Sequence, residues 1–354
     1  MKAFLYTKLL RAAAICAALS SLCLVQTVSR AQPIPWVNGQ AADLVIGQAN
    51  FTSGAAGVSA TRFDRPHDIA IDRANGKLYL ADAPNHRVLR FAYPILSDFP
   101  AAEAVFGQLN FTSNSPNQGG AAAANTLNTP VGLAVRNGDL WVADRGNRRV
   151  LRFASAHTLG NNPSATNVLG QVDFTASVDV IAQNTIPTPY ELEFDHAGNL
   201  YVSDNLSHRV LRFNAADLTT NGANAAIVLG QANFTDGLSN AALNRMQNPT
   251  GLAVDASGNL FVSQFAGDRI FRFNNVASIV TNAPTADGFL GQGAGGSTNL
   301  RVDDPAGLAT DGGDLYCCDL ANSRVVIWRA AATKPNGAAI DHILGKTAFG
   351  VTTQ

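Results

Sequence analysis

Apolar and polar positions alternate along this chain in short runs, and the runs recur. Arg-Val-Leu-Arg-Phe stands at residues 87–91, 149–153 and 209–213, and returns altered at 269–273 and 324–328. A second run, apolar and ending in Gly-Gln, closes at Gly47-Gln48, Gly107-Gln108, Gly170-Gln171, Gly230-Gln231 and Gly291-Gln292, with Gly345-Lys346 as its altered last copy. Successive copies lie 60, 63, 60, 61 and 54 residues apart. A fixed period of this kind is the mark of a repeat architecture.

One unit reads clearly from Asn248. Pro249 opens it, and residues 251–255 (Gly-Leu-Ala-Val-Asp) form a short alternating strand, a. Residues 256–259 are a tight turn with the glycine that a positive φ demands. Residues 260–263 are strand b and residues 269–273 strand c; strand d is the apolar run before the next Gly-Gln. The turn glycine recurs as Gly76, Gly138, Gly198 and Gly313. In every b strand an aromatic follows a leucine: Tyr79, Trp141, Tyr201, Phe261 and Tyr316. Side chains two apart on a strand share a face, so both faces of this sheet are largely apolar. A sheet apolar on both sides has to lie between neighbours, and small sheets packed radially about an axis achieve this. The expected fold is all-β: a propeller of four-stranded antiparallel blades, five favoured and six the alternative. Six d strands serve five a-b-c sets, and the surplus one, residues 44–47, is expected to close the ring by joining the last blade. A sixth, incomplete blade is the other arrangement.

At these residues the chain resembles the NHL-repeat family. The shared pattern is Pro-x-Gly-Leu-Ala-Val-Asp, then Gly-Asn-Leu-aromatic-Val-small-Asp, then Asn-x-Arg-Val, and it covers about residues 43–350. The resemblance implies a propeller with two faces and a central channel. It implies little about activity, since such propellers serve as interaction modules, as sensor domains and, less often, as lyases.

The first residues depart from the repeat. Lys2, Lys8 and Arg11 precede an apolar run from Ala12 to Val25, and Ser29 and Ala31 offer small residues for cleavage. Residues 1–31 read as a secretory signal, leaving 32–354 as a single propeller domain, secreted or periplasmic. The apolar run is shorter than the roughly 20 residues a membrane span needs, so no span is expected in the mature chain. Without its leader the chain keeps 21 basic and 26 acidic residues, a net charge of −5. That balance gives no electrostatic case for nucleic acid. Cys317 and Cys318 are adjacent, and since neighbours on a strand point to opposite faces a bridge between them would be strained; they read as two buried apolar thiols.

Five blades share a basic and acidic ring: Asp82 with Arg87, Asp144 with Arg149, Asp204 with Arg209 and Asp319 with Arg324, while blade four has Gln264 with Arg269. A pair copied into nearly every blade is expected to hold each b–c turn. Departures from the repeat are the better guide to a site. Three blades open strand a with Pro-x-Gly, but blade one has His67 and Asp68 there, and blade three has Tyr190 and Glu191. Blade three also carries Glu193 where the others carry alanine. His67, Asp68, Tyr190, Glu191 and Glu193 are therefore the candidate ligand site at one mouth of the channel. A His with three carboxylates suits a general acid/base pair or Ca²⁺ or another divalent ion, with Asp68, Glu191 and Glu193 as ligands; no cofactor is otherwise expected. The other histidines, His86 and His208 among them, are expected to be exposed. The favoured function is a binding module for a protein, a glycan or a small molecule on one face. The alternative is a metal-dependent lyase or lactonase-like hydrolase at the channel mouth.

Overall fold

The computed structural model describes residues 41–351. The expected signal segment, 1–31, lies outside the described residues. Five four-stranded antiparallel sheets follow one another along the chain. Blade one is β1 (Ile69–Asp72), β2 (Lys77–Asp82), β3 (Arg87–Ala92) and β4 (Ala104–Phe106). Blade two is β5 (Pro130–Arg136), β6 (Asp139–Asp144), β7 (Arg149–Phe153) and β8 (Asn167–Leu169). Blade three is β9 (Pro189–Phe194), β10 (Leu200–Asp204), β11 (Arg209–Phe213) and β12 (Ile227–Leu229). Blade four is β13 (Pro249–Val254), β14 (Leu260–Gln264), β15 (Arg269–Phe273) and β16 (Gly288–Leu290). Blade five is β17 (Pro305–Asp311), β18 (Asp314–Asp319), β19 (Arg324–Trp328) and β20 (His342–Leu344). Helical structure in the described residues is limited to 3₁₀ turns of three or four residues. The expected all-β propeller of five blades is the fold observed.

The alternation of strand b sets the packing. In blade two, Trp141, Ala143, Val150 and Leu169 face blade three and meet its Leu192, Leu200, Val202 and Leu211. The opposite face, with Leu140, Val142, Leu151 and Phe153, meets Tyr79, Ala81, Val88 and Phe106 of blade one. The same two-sided arrangement joins blade three to four and blade four to five. Among the described residues blade one's other face packs on its own loops, at Tyr93, Ile95, Ala102 and Phe111, and on Ile46 and Phe63 near the N-terminal end of the described chain.

The Asp and Arg of the repeat are structural, as expected. Arg149 Nε donates to Asp144 Oδ2 at 2.8 Å, and its Nη2 donates to the carbonyls of Ala123 and Thr126, each at 2.9 Å. Asp144 Oδ1 accepts from the Asn128 amide. Both side chains are fully buried, as in blades one and three. Each pair thus ties its b–c turn to the connection leading into strand a.

The surplus run did not join the last blade, whose fourth strand is β20. Residues 44–47 form no ladder strand. They are instead held against blade one: Val45 N–H donates to Asp98 Oδ1 at 2.8 Å, and Phe99 N–H donates to the Val45 carbonyl. Blade five supplies the hairpin exception. Its left-handed turn residue is Gly312, at φ +66°, while Gly313 is more extended at φ +159°.

Candidate functional site

Every Pro-x-Gly opening turns out to be a β-bulge. The ladder slips between Pro130 and Leu133, between Pro249 and Leu252, and between Pro305 and Leu308. Blade three has the same slip, between the pairs Asp204–Pro189 and Val202–Leu192. A bulge re-aims the side chains it carries, and in blade three those belong to Tyr190 and Glu191. Ser203 Oγ accepts from the Glu191 amide at 2.8 Å and fixes the bulge. Blade one is held comparably, with His67 N–H donating to the Ala81 carbonyl and Ala81 N–H to that of Asp68.

Glycine at the bulge is a packing requirement. A Cβ on Gly132 would lie 2.3 Å from the Tyr190 carbonyl oxygen, and one on Gly251 would lie 2.2 Å from that of Ala306. The innermost strands therefore touch backbone to backbone. Blade two, bare at Gly132, lets the side chains of blades one and three meet in front of it.

They do meet. His67 Nε2 and the Tyr190 hydroxyl lie 3.0 Å apart, with the rings edge-on at 4.9 Å. Asp68 Oδ2 accepts from the Leu133 amide at 2.6 Å, and its carboxyl is hydrogen-bonded to that of Glu191. Burial pushes the Asp68 carboxyl up to about 6, against which the Leu133 and Ile69 amides and the Glu191 hydrogen bond pull it down. Glu191 is pushed well up by burial and then by the Asp68 charge. Asp68 is thus the ionised member and Glu191 the one that keeps the proton. Glu193, deeper on the same strand, is raised to about 8 by burial, with Asp68 adding to the rise. His67 is held below its usual value by burial and by the charge of Arg145.

Four of the five expected residues thus meet at one place, and Glu193 lies on the same strand as Glu191, close enough to feel the Asp68 charge. Those four border a cavity of about 640 Å³ whose other walls include Ile69, Leu308, Tyr316 and Cys318. A pocket of that size, mostly apolar with a few convergent polar groups, has the form of a small-molecule site.

Two neighbours escaped the sequence reading. Arg145 lies over the Tyr190 ring, 5.4 Å from its centroid; it is the only arginine at that position of the five b–c turns, and that departure was available as a signal. Cys318 is exposed, not buried, whereas Cys317 is buried as expected. Burial of its sulfur and the nearby Asp68 charge raise the Cys318 thiol, so it is not an activated nucleophile.

The carboxylates do not converge on one point as ion ligands. Among the described residues only Asp268, Asp303 and Asp304 bring three ligand atoms within 4.8 Å of one another. Asp268 there accepts from the Asp304 amide, a link with a counterpart in other blades: His86 Nδ1 accepts from the Thr129 amide and His208 Nδ1 from the Asn248 amide. Those two histidines are consequently half-buried ties between blades, not exposed residues.

The NHL-repeat family model matches residues 63–91 and 127–153, the a-to-c segments of blades one and two. No curated protein matches the chain in sequence. Among solved structures it is similar to a streptogramin B lyase, at 11% identity and a TM-score of 0.44, covering 75% of this chain and 66% of that one. The chain thus spans just under two thirds of that lyase. It is also similar to a nidogen/laminin complex (15% identity, TM-score 0.48, covering 82% of this chain and 86% of that one) and to a gluconolactonase from Xanthomonas campestris (18%, 0.47, 80% and 77%). No helix of the described residues is long and apolar enough to cross a membrane. The chain is thus a five-bladed β-propeller that carries NHL repeats in blades one and two.

Proposed function

We propose that this protein is a secreted or periplasmic propeller that binds a small molecule at the channel mouth. The observation that supports it is the meeting of His67, Asp68, Tyr190 and Glu191 on one cavity of about 640 Å³. The ionised Asp68 and the Glu191 carbonyl oxygen accept hydrogen bonds, so the polar end of the ligand is a donor, neutral or cationic. The apolar wall at Ile69 and Leu308 receives the rest of it. An anionic ligand meets the Asp68 carboxylate. Benzylamine, benzyl alcohol and benzoate form a matched probe series, read by calorimetry. The amine and the alcohol are expected to bind and benzoate not, with Asp68→Asn weakening the amine most. Equal binding of all three, or binding that survives Asp68→Asn and Glu191→Gln unchanged, sinks the reading.

A second reading draws on the proton shared by Asp68 and Glu191. Two carboxyls pushed apart in pKa can serve as base and acid, as a lyase or hydrolase acting at the same mouth requires. In the metal-dependent form of that reading Asp68, Glu191 and Glu193 would hold Ca²⁺ or another divalent ion. Their geometry falls short of a convergent triad, and the binding reading is preferred.

A further inference from the structure

The interface between blades five and one differs from the other four. Positions that are buried in blades one to four are open in blade five. Cys318 occupies the place of Ala81, Ala143, Ser203 and Ser263, each 0% exposed, yet is itself exposed. Ala309 is exposed where Ala70, Ala134 and Ala253 are buried. Leu320 is 58% exposed on this side, and Ile69 on blade one's facing side is 52% exposed.

At the outer rim of this slot, residues 44–53 are built as the tail end of a blade whose other strands are not among the described residues. In each complete interface the middle residue of strand d is latched to the next blade. Val105, Val168, Val228 and Phe289 donate to Asn161, Asn221, Asn282 and Asn336, and their carbonyls accept from the residue that follows. Val45 makes the same pair of bonds with Asp98 and Phe99. The Asn50 side chain accepts from Thr52 and Ser53 as Asn110 does from Thr112 and Ser113.

What this tail lacks is everything strand c would supply. The backbone of Leu44 and Ile46, which in the other d strands pairs with strand c, makes no hydrogen bond among the described residues. Gln108, Gln171 and Gln231 each donate both to the loop and to the residue before the repeat Arg; Gln48 donates only to the loop, at Ala55. The Phe111, Phe174 and Phe234 carbonyls each accept from a repeat Arg. Phe51 is 56% exposed and its carbonyl has no such donor.

We infer that this slot is a docking site for a three-stranded antiparallel leaf, with the a-b-c pattern of this repeat, from a partner protein. Its third strand would pair with the edge at Leu44 and Ile46, its arginine would reach the Phe51 carbonyl, and its apolar faces would cover Cys318, Ala309 and Ile69. A free sheet edge is a ready template for such strand addition. A second copy of this chain has no spare leaf among its described residues, because each of the five there is in use. The leaf uses no carboxylate of the channel mouth, but it would cover Ile69, Ala309 and Cys318, which also wall the ligand cavity.

Cys318 reports on the slot. The probe is a synthetic peptide of residues 126–153, the leaf of blade two, added to the full-length protein. Maleimide labelling is followed at Cys318 by peptide mass analysis, with Cys317 as the buried control. At ten times its dissociation constant the peptide should slow labelling about tenfold. The same peptide carrying Arg149→Leu should protect far less, and protein carrying Ile46→Pro, which removes an edge N–H, should lose protection while its unprotected rate is unchanged. Three results would overturn the inference: Cys318 already unreactive in the protein alone, labelling that slows merely as protein concentration rises, or equal protection by a scrambled peptide.

Discussion

Blade four lacks the buried carboxylate of its siblings, and putting one there should stabilise the protein. Gln264 is fully buried and spends its Oε1 on the Gln247 amide, while its own Nε2 finds no partner. Arg269 Nε, which in the other blades donates to the aspartate, is buried without an acceptor. Its Nη2 keeps a bond to the Ala241 carbonyl. Gln264→Asp supplies the acceptor and removes an orphan donor. A hydrogen bond to a charged group contributes about 1.5–3 kcal/mol. The lost methylene costs about 0.8 kcal/mol, and desolvating the new carboxylate takes back part of the rest. A net gain of about 1 kcal/mol remains. The mirror change, Asp144→Gln in blade two, leaves the fully buried Arg149 without its counter-charge and should cost about 3 kcal/mol. Urea denaturation at fixed pH reads both variants against the parent. The reasoning fails if Gln264→Asp lowers the midpoint, or if Asp144→Gln leaves it unmoved.

Trp141→Ala should cost about 3–5 kcal/mol, as large aromatic truncations in a core do, because Trp141 is 3% exposed and packs edge-on against Phe194 of the next blade; a loss under about 1 kcal/mol in the same assay would mean the blades are not tightly apposed. Gly132→Ala should destabilise by about 1–3 kcal/mol, the usual cost of overpacking, since its Cβ meets backbone of blade three, and should also weaken whatever binds at Glu191. The raised carboxyls set a pH trend. Asp68 at about 6 and Glu193 at about 8 hold their protons in the folded state at pH values where the unfolded chain has lost them. Their contribution is therefore full below about pH 4 and falls as pH rises towards 8. Glu193→Gln should flatten that decline in thermal melts across the range, and an unchanged slope would show that Glu193 titrates normally.

Much of the fold was legible because the period repeats the same physical problem five times. The leucine-aromatic pattern of strand b told which faces are buried, and the Asp and Arg told which turns are tied. The site was legible through departure alone: Asp68 and Glu191 stand where the other blades carry Gly, with His67 and Tyr190 just before them. Arg145 was missed although its departure from the repeat is visible in the sequence. The exposure of Cys318 was not read, because it depends on which blade lies beside which. The half-burial of His86 and His208 belongs to the same class, for their acceptors serve an amide about 40 residues away in the next blade. The place of residues 44–47 could not be settled from spacing, since a strand d looks alike whether or not a strand c lies beside it.

The account rests most heavily on blades one and three sharing one site, and a carboxyl-carbon NMR titration tests that directly. In the parent protein Glu191 should titrate well above 4.5, and Asp68→Asn should bring it down, because the Asp68 charge is part of what holds it up. A Glu191 titration that ignores the residue at position 68 would contradict the account.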